Sequence, residues 1–127
     1  MRLIGHGIDL MEVERFTRSL EEHGERFLER VFTVRERQYA ADSKRKNEHL
    51  AARFAAKEAV LKALGTGWSQ GIAWTDVEVV LLPSGQPTVH LHGKAMEIAD
   101  TMGVTGWSLS LTHTATMAAA SAIATGA

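Results

Sequence analysis

The chain of 127 residues has no cysteine, only two prolines and no long apolar run. Without cysteine, disulfides and thiolate metal sites are excluded, and a reducing compartment is compatible with the composition. No apolar stretch approaches the roughly 20 residues that span a bilayer, and the first residues lack the apolar core of a secretory signal. These absences favour a cytoplasmic protein with no membrane partner.

An excess of charge of either sign is also missing. The chain carries 14 Lys and Arg against 15 Asp and Glu, for a formal net charge of -1. No global positive field points to nucleic acid, so any anion must be bound by a local cluster. The hydrophobic fraction of 45% suits one soluble domain over residues 1–127 with a real core.

The most informative segment is residues 51–67, which the pattern predicts to be one helix ended by glycine. On a helical wheel, large apolar side chains form one stripe and alanines form a second face. Arg53 and Lys57 fall inside the large stripe, and Glu58 lies on its edge one turn before Lys62. Because buried charges are costly unless paired or bound, we expect this helix to bring charges to a charged ligand.

The other segments predict a mixture of strands and helices around this helix. Residues 3–9 form a strand whose two glycines indicate close approach by another backbone or a ligand. The further predicted elements are a helix over 13–24, an apolar cluster over 27–32, an N-cap at Thr33, a hairpin over 77–92, a helix over 95–103 and a strand over 107–113. Residues 118–124 fit either a strand or a short helix. The sum is an α+β domain with a mostly antiparallel sheet packed on a long buried helix.

Two carboxylates, Asp9 and Glu58, also have simpler interpretations. Asp9 alone is also consistent with an N-cap carboxylate, and Glu58 with a surface ion pair to Lys62. If the first strand packs on the long helix, however, Asp9 and Glu58 converge. Two carboxylates plus waters are a common Mg²⁺ arrangement, which phosphate oxygens complete.

A basic run, Lys44 to Lys46, precedes the long helix. Such runs are often only solvated, but this run could bind phosphate together with Arg53 and Lys57. His113 ends an alternating strand, where a lone histidine is more often structural than catalytic. The three tryptophans are expected to be core or interface anchors.

Three segments of the chain resemble one family. They are Gly5-His6-Gly7-Ile8-Asp9, Arg53-Phe54-Ala55-Ala56-Lys57-Glu58-Ala59 with the following Lys62 to Gly67, and Ser108-Leu109-Ser110-Leu111-Thr112-His113-Thr114. In order and spacing they are similar to the small bacterial type of the 4'-phosphopantetheinyl transferase family, which makes holo-acyl carrier protein for fatty acid synthesis. The resemblance extends over nearly the whole chain and implies the fold of that family.

The resemblance also implies a reaction and its catalytic groups. The 4'-phosphopantetheine arm of coenzyme A would pass to a serine of apo-acyl carrier protein, releasing adenosine 3',5'-bisphosphate. Asp9 and Glu58 match the Mg²⁺ ligands of the family. Glu58, directly or through a bound water, would be the base for the serine hydroxyl. Lys62 would stabilise charge that develops on the phosphates.

Binding residues follow from the resemblance in the same way. The expected coenzyme A contacts are Lys44, Arg45, Arg53 and His113 at the nucleotide phosphates and the turn from Gly85 to Pro87 near the adenine. The expected docking residues for the acidic, helical carrier protein are Arg15, Arg18 and Arg26, although Glu14, Glu21 and Glu22 dilute the positive charge around them. Family members are similar in forming homotrimers with active sites at subunit interfaces.

Two other functions would use parts of the same pattern. A small Mg²⁺-dependent nucleotide hydrolase would use the same two carboxylates but would release phosphate or pyrophosphate. A non-catalytic module that binds carrier protein would retain Arg15 and the helix surface but would need neither Asp9 nor Glu58. Replacement of either carboxylate by alanine separates the second alternative from an enzyme.

Overall fold

The computed structural model describes residues 1–127. Its helices and strands, in chain order, are β1 (Arg2–Glu12), α1 (Val13–Val31), α2 (Val34–Ala41), α3 (Lys46–Leu64), β2 (Val77–Leu81), β3 (Pro87–Leu91), α4 (Gly93–Met102), β4 (Gly106–His113) and β5 (Met117–Gly126). A short 3₁₀ turn, Trp74–Asp76, precedes β2. The predicted α+β class is confirmed. None of the helices is long and apolar enough to cross a membrane.

The strands form two antiparallel sheets rather than one. A three-stranded sheet has the order β1-β5-β4, and β2 and β3 form a separate hairpin. The alanine-rich end of the chain, for which the sequence left strand or helix open, is the central strand β5. Alternate alanines of β5, such as Ala120 and Ala122, are buried on the face that α3 covers. Small side chains on this strand therefore allow the helix to lie close to the sheet.

Helix α3 is the central element and packs against the inner face of the three-stranded sheet. It ends at Gly65, whose left-handed backbone (φ 76°) turns the chain and whose N–H bonds the carbonyl groups of Leu61 and Lys62. Glycine adopts this conformation without the steric cost of a Cβ. The helix buries both its large apolar side chains and its alanines, which confirms that it is apolar on two sides.

The two glycines of β1 set the distance between strand and helix. A Cβ at Gly5 would overlap the carbonyl oxygen of Ala63, and a Cβ at Gly7 would overlap that of Ala59. The predicted close approach is thus an approach by the backbone of α3. Since side chains alternate along a strand, Asp9 is on the same face as these glycines and is held next to the helix.

Strand β1 is longer than the sequence predicts. It continues past Asp9 to Glu12, and α1 begins at Val13. The N-cap interpretation of Asp9 is therefore wrong: the residue at the N-cap position is Glu12, which makes no side-chain capping bond. Pairing of the last β1 residues with β5, up to Glu12 opposite Met117, extends the strand.

The helical segments before α3 follow the predicted signals in part: α1 begins at Val13 as expected but continues past the predicted end at Gly24 to Val31 and includes most of the apolar cluster. Helix α1 is broken at Gly24, which has φ 58° and ψ -143°. Thr33 caps α2 as expected: its hydroxyl accepts from the Glu36 N–H at 3.2 Å, and Glu36 Oε1 accepts from the Thr33 N–H at 2.9 Å. This reciprocal pair satisfies two free donors at the start of the helix.

We predict that Gly7→Ala destabilises the protein by about 3 kcal/mol or more, because the added Cβ meets a backbone carbonyl that cannot rotate away. Urea unfolding at pH 7 measures the change. The exposed residue Ser108 on β4 supplies the control, and Ser108→Ala should change the free energy of unfolding by about 0.5 kcal/mol or less. Equal stability of the two variants would contradict the close contact.

Candidate active site

Asp9, Glu58 and Lys62 converge where β1 crosses the second half of α3. Lys62 Nζ donates to Asp9 Oδ1 at 3.1 Å and to the carbonyl of Ile8 at 2.9 Å. Glu58 lies one helical turn before Lys62 and close enough to Asp9 for the two carboxylates to interact. The convergence that the sequence made conditional on packing of strand against helix is present.

The Glu58 carboxyl is half-buried, and burial is the largest influence on its pKa. Burial raises the pKa of Glu58 above its ordinary value, and the nearby Asp9 carboxylate raises it further. The Trp68 indole and the Lys62 ammonium both lower this pKa, but only in part. The protonated form is therefore favoured in the native state relative to the unfolded chain. In the absence of a bound cation, an ionised Glu58 costs stability at neutral pH.

The donor chemistry of this cluster fits a hard divalent cation. Asp9 and Glu58 supply carboxylate oxygens, which Mg²⁺ prefers. The side chain of Asp9 is only 17% exposed, yet the cation beside it is the flexible, half-exposed Lys62. No group of three or more metal-binding side chains occurs in the chain. Two carboxylates of this kind would hold an ion that takes its other ligands from water and from substrate oxygens.

A basic cleft lies at the other end of α3. A cavity of about 340 Å³ is lined by Lys44 and Arg45 from the segment before the helix, by the first residues of α3, Lys46, Asn47 and Glu48, and by Val13 and Thr17 from α1. A rise of about 1.5 Å per residue places the first residue of α3, Lys46, about 18 Å from Glu58 along the helix axis. A ligand that used both the cleft and the carboxylates would have to be elongated.

His113 joins this basic end through the N-terminal turn of α3. Its Nδ1 lies 3.3 Å from Glu48 Oε2, and its ring contacts His49 edge to face at 5.4 Å. Burial lowers the pKa of His49, and the nearby His113 and Arg53 lower it further. Two imidazoles and a guanidinium thus lie close to the basic cleft.

Lys57 is not available to a ligand, so its sequence-based candidacy for phosphate binding is wrong. The side chain is fully buried, and Nζ donates to Glu36 Oε1 at 2.8 Å, to the Trp74 carbonyl at 3.3 Å and to the Val77 carbonyl. All three ammonium hydrogens are therefore used. Burial lowers the pKa of Lys57, and the Glu36 carboxylate opposes that shift.

The same ion pair extends into a network that ties four elements together. The second oxygen of Glu36 accepts from the Val79 N–H at 2.9 Å. Thr33 donates its hydroxyl to Glu78 at 2.6 Å, and Glu78 also contacts His92 at 3.1 Å. Burial would raise the pKa of Glu78, but these two hydrogen bonds hold it below its ordinary value. Sequence reasoning missed this network because its members are far apart in the chain.

Arg53 is 6% exposed and points away from the carboxylates, toward α2 and the hairpin. Its guanidinium lies 4.1 Å above the Tyr39 ring, and its Nε has no hydrogen-bond partner. Arg53, Tyr39, Arg35 and Leu81 line a cavity of about 210 Å³ beside the end of β2. Arg53 is thus a buried cation that borders a cavity.

The turn of the β2–β3 hairpin lies next to this cavity, which Leu81 at the end of β2 lines. Gly85 is exposed with φ 88°, and Pro87 is the first residue of β3. The turn is closed by the Gly85 N–H, which donates to the Leu82 carbonyl at 2.8 Å. Its place beside Leu81 puts it on the same side of α3 as Arg53.

The arginines expected to dock a partner are all exposed on α1. Arg18 is paired with Glu14 at 3.4 Å. Arg26 lines a cavity of about 450 Å³ beside the break at Gly24 with Ser19, His23, Phe27 and Arg30. Sequence reasoning missed His23 and Arg30. The i,i+4 spacing of Arg26 and Arg30 is the signal that could have identified the second arginine.

Comparisons with known proteins agree with this geometry. The family description "4'-phosphopantetheinyl transferase superfamily" matches residues 5–119. A holo-[acyl-carrier-protein] synthase of Solibacter usitatus is 47% identical over 121 residues, which cover 95% of this chain and 97% of the relative.

Solved structures of the same type of enzyme share the fold. The crystal structure of holo-[acyl-carrier-protein] synthase from Neisseria meningitidis has a TM-score of 0.87 at 27% identity and covers 97% of this chain and 98% of its own. The structure from Bacillus anthracis in complex with CoA (3',5'-ADP) has a TM-score of 0.80 at 30% identity, with 100% of both chains covered.

The chain belongs to the 4'-phosphopantetheinyl transferase superfamily, as its family match and its relatives show. It is an enzyme, and the relatives it resembles within that superfamily are named holo-[acyl-carrier-protein] synthases.

We predict that Lys57→Met lowers the free energy of unfolding by about 3–5 kcal/mol, because it leaves the Glu36 carboxylate buried without its cation. Lys62→Met is the matched control on the same helix, and its half-exposed side chain should contribute about 1 kcal/mol or less. Urea unfolding of both variants measures the difference. Similar losses of unfolding free energy for the two variants would contradict the structural role of the Lys57–Glu36 pair.

Proposed function

We propose that the protein transfers the 4'-phosphopantetheine arm of coenzyme A to a serine of apo-acyl carrier protein, in a Mg²⁺-dependent reaction of fatty acid biosynthesis in the cytoplasm. The convergence of Asp9, Glu58 and Lys62 on one side of α3, with a basic cleft at the other end of the helix, carries the proposal. Its relatives are named for the same product, and one of their structures contains CoA.

The catalytic roles follow from the chemistry of the three side chains. The serine oxygen attacks the phosphorus that carries the pantetheine arm, and the bond from that phosphorus to the oxygen of adenosine 3',5'-bisphosphate breaks. Glu58 accepts the serine proton, directly or through a water. Lys62 is flexible enough to leave Asp9 and contact a phosphate oxygen. Mg²⁺ held by Asp9 and Glu58 would neutralise the pyrophosphate and align it for in-line attack.

Coenzyme A would lie along α3. Lys44, Arg45 and His113 supply positive or hydrogen-bonding groups for the nucleotide phosphates at the basic cleft. Arg53 and the turn formed by Gly85, Gln86 and Pro87 would accommodate the nucleotide near the smaller cavity. The separation of the two ends of the site matches a long substrate with charged groups along it.

The carrier protein would dock on α1. Arg15, Arg18 and Arg26 are exposed and would meet the acidic surface of a helical partner. The ion pair of Arg18 with Glu14 would have to exchange for contacts to the partner, which weakens its contribution. Arg26 has no such competition within the cavity beside Gly24.

We also infer that the protein forms a homotrimer with active sites at subunit interfaces. The outer face of the three-stranded sheet is uncovered by any helix, and its side chains Ile8 and Leu10 are 62% and 66% exposed. Apolar surface of this kind marks an interaction site, and a closed ring would bury it. Light scattering at assay concentration tests this state, and a persistent monomer would contradict it.

The function is tested by incubating the protein with apo-acyl carrier protein, coenzyme A and Mg²⁺ and weighing the carrier by intact mass spectrometry. We expect one phosphopantetheine per carrier and none with EDTA. Release of phosphate or pyrophosphate without a change in carrier mass would instead indicate a nucleotide hydrolase. A second type of carrier separates a wrong acceptor from a wrong reaction.

In the same assay, Asp9→Asn and Glu58→Gln should slow transfer by about 100-fold or more, because one removes a metal ligand and the other also removes the base. Glu97→Gln, at an exposed position on α4, is the control. Unimpaired transfer by Glu58→Gln would show that Glu58 takes no part in the mechanism. If the protein keeps its function after both carboxylates are replaced, a binding module is favoured.

Glu58→Gln should fold at least as well as the parent protein. The native state raises the pKa of Glu58, so at neutral pH its carboxylate opposes folding and the neutral amide does not. Without divalent cations, the thermal midpoint of the variant at pH 7 should match or exceed that of the parent. The advantage should fade as pH falls through the raised pKa toward the ordinary range of a glutamate, because the parent is then protonated in both states.

A further inference from the structure

The loop after α3 folds back onto the helix and carries Trp68. Gly65 and Gly67 both have positive φ, 76° and 57°, and the Thr66 N–H donates to the Leu61 carbonyl at 3.2 Å. This reversal brings the chain back toward α3. Trp68, the first large side chain after the turn, then packs partly buried against the core that α3 forms with the sheet.

An aromatic stack fixes where the Trp68 indole lies. The Phe54 and Trp74 rings stack at 4.8 Å between centroids, and the Trp74 and Trp68 rings lie 3.4 Å apart. Phe54 and Glu58 are one turn apart on the same side of α3. Because the Trp74 carbonyl also accepts from Lys57, the stack lies against the turn of α3 that runs from Phe54 to Glu58.

The same stack is anchored to the buried ion pair. The Trp74 carbonyl accepts from Lys57 Nζ at 3.3 Å, and Lys57 precedes Glu58 in the helix. The indole of Trp68 consequently rests on a residue that is fixed both by stacking and by a hydrogen bond. Its position is set by the interior of the protein and not by the flexible loop alone.

The indole N–H of Trp68 is buried, and no acceptor lies in good hydrogen-bond geometry to it, although the indole is near enough to Glu58 to lower the pKa of that carboxyl by hydrogen bonding. An unpaired buried donor is costly, and such groups in native proteins call for an explanation. The nearby anion is the Glu58 carboxylate, whose pKa the indole lowers. Indole nitrogen only donates, and an ionised carboxylate only accepts, so the two groups are chemically complementary.

We propose that Trp68 is a positioning residue whose indole N–H donates to Glu58 and holds that carboxylate toward Asp9 for the cation and the substrate hydroxyl. This inference rests on the proposed function, because it assigns to Glu58 the ligand and base roles given above. A carboxylate that binds a metal is itself commonly oriented by such a donor.

The test compares Trp68→Phe with two control variants. Trp68→Phe keeps a ring in the stack but removes the donor. Trp74→Phe keeps an aromatic ring against the Trp68 indole and leaves its N–H in place, and Trp107→Phe alters a partly buried tryptophan on β4. Circular dichroism and thermal midpoints establish that each variant is folded, and Trp68→Leu repeats the donor deletion should the phenylalanine variant not fold.

The first readout is the affinity for Mn²⁺ in the presence of coenzyme A, measured from the electron paramagnetic resonance signal of free Mn²⁺. We expect the dissociation constant of Trp68→Phe to rise about tenfold, the lower end of the effect of losing an outer partner of a metal ligand. The dissociation constants of Trp74→Phe and Trp107→Phe should stay within about twofold of the parent value, since both keep the donor.

The second readout is steady-state transfer. The kcat of Trp68→Phe should fall about tenfold with the KM for carrier protein nearly unchanged, because the lost hydrogen bond is to the catalytic carboxylate and not to the carrier. Mn²⁺ affinity equal to that of the parent would overturn the role of Trp68. An equal loss in Trp74→Phe would also overturn it, since the stack and not the donor would then be responsible.

The proposed function and the role of Trp68 can be disproved separately. If the parent protein modifies the carrier and binds Mn²⁺ while Trp68→Phe matches it, the positioning role alone is wrong. If the parent protein neither modifies any carrier nor binds Mn²⁺ with coenzyme A, the proposed function fails, and the role of Trp68 fails with it.

Discussion

The direct contact between the β1 backbone and the α3 backbone is the constraint on which the site depends. Gly5 and Gly7 lie so close to the carbonyl groups of Ala63 and Ala59 that no side chain fits between them. This contact brings Asp9 against the helical turn of Glu58 and Lys62, although the two segments are about fifty residues apart in the chain. A wider spacing, of the kind that ordinary apolar side chains impose, would separate the carboxylates.

The charges of α3 have different tasks despite their proximity in sequence. Lys57 belongs to the interior, where Glu36 and two carbonyl groups satisfy all three of its hydrogens. Glu58, the next residue, lies at the edge of the helix, where its carboxyl is partly desolvated beside Asp9. A rotation of about 100° per residue is sufficient to separate a structural ion pair from the carboxylate to which we assign the catalytic role. The buried pair in turn fixes Trp74, and through it the loop that borders Glu58.

The site combines a rigid part with an adaptable part. Asp9 and Glu58 lie on a strand and a helix that are packed backbone to backbone, so the separation of their backbones is set before any ligand binds. Lys62 is half-exposed, and the basic cleft is formed by the segment before α3 and by α1. Preorganised anions with exposed cations around them would suit the proposed reaction, in which a metal and a polyphosphate enter together.

The sequence by itself determined the long helix and its glycine stop, the strand pattern and the motifs that resemble one family, because these depend on local periodicity and on residue type. It also determined that Gly5 and Gly7 mark a close approach, since only glycine permits one. Only the tertiary structure decided that Lys57 is paired with Glu36 and closed to any ligand, because Glu36 comes from another helix, 21 residues away in the chain. It likewise decided that the final alanines form a central strand, because alanine alone favours a helix and pairing on both sides overrides that preference. The place of Trp68 beside Glu58 depends on a loop reversal and a stack of aromatic rings, neither of which leaves a periodic signal in the sequence.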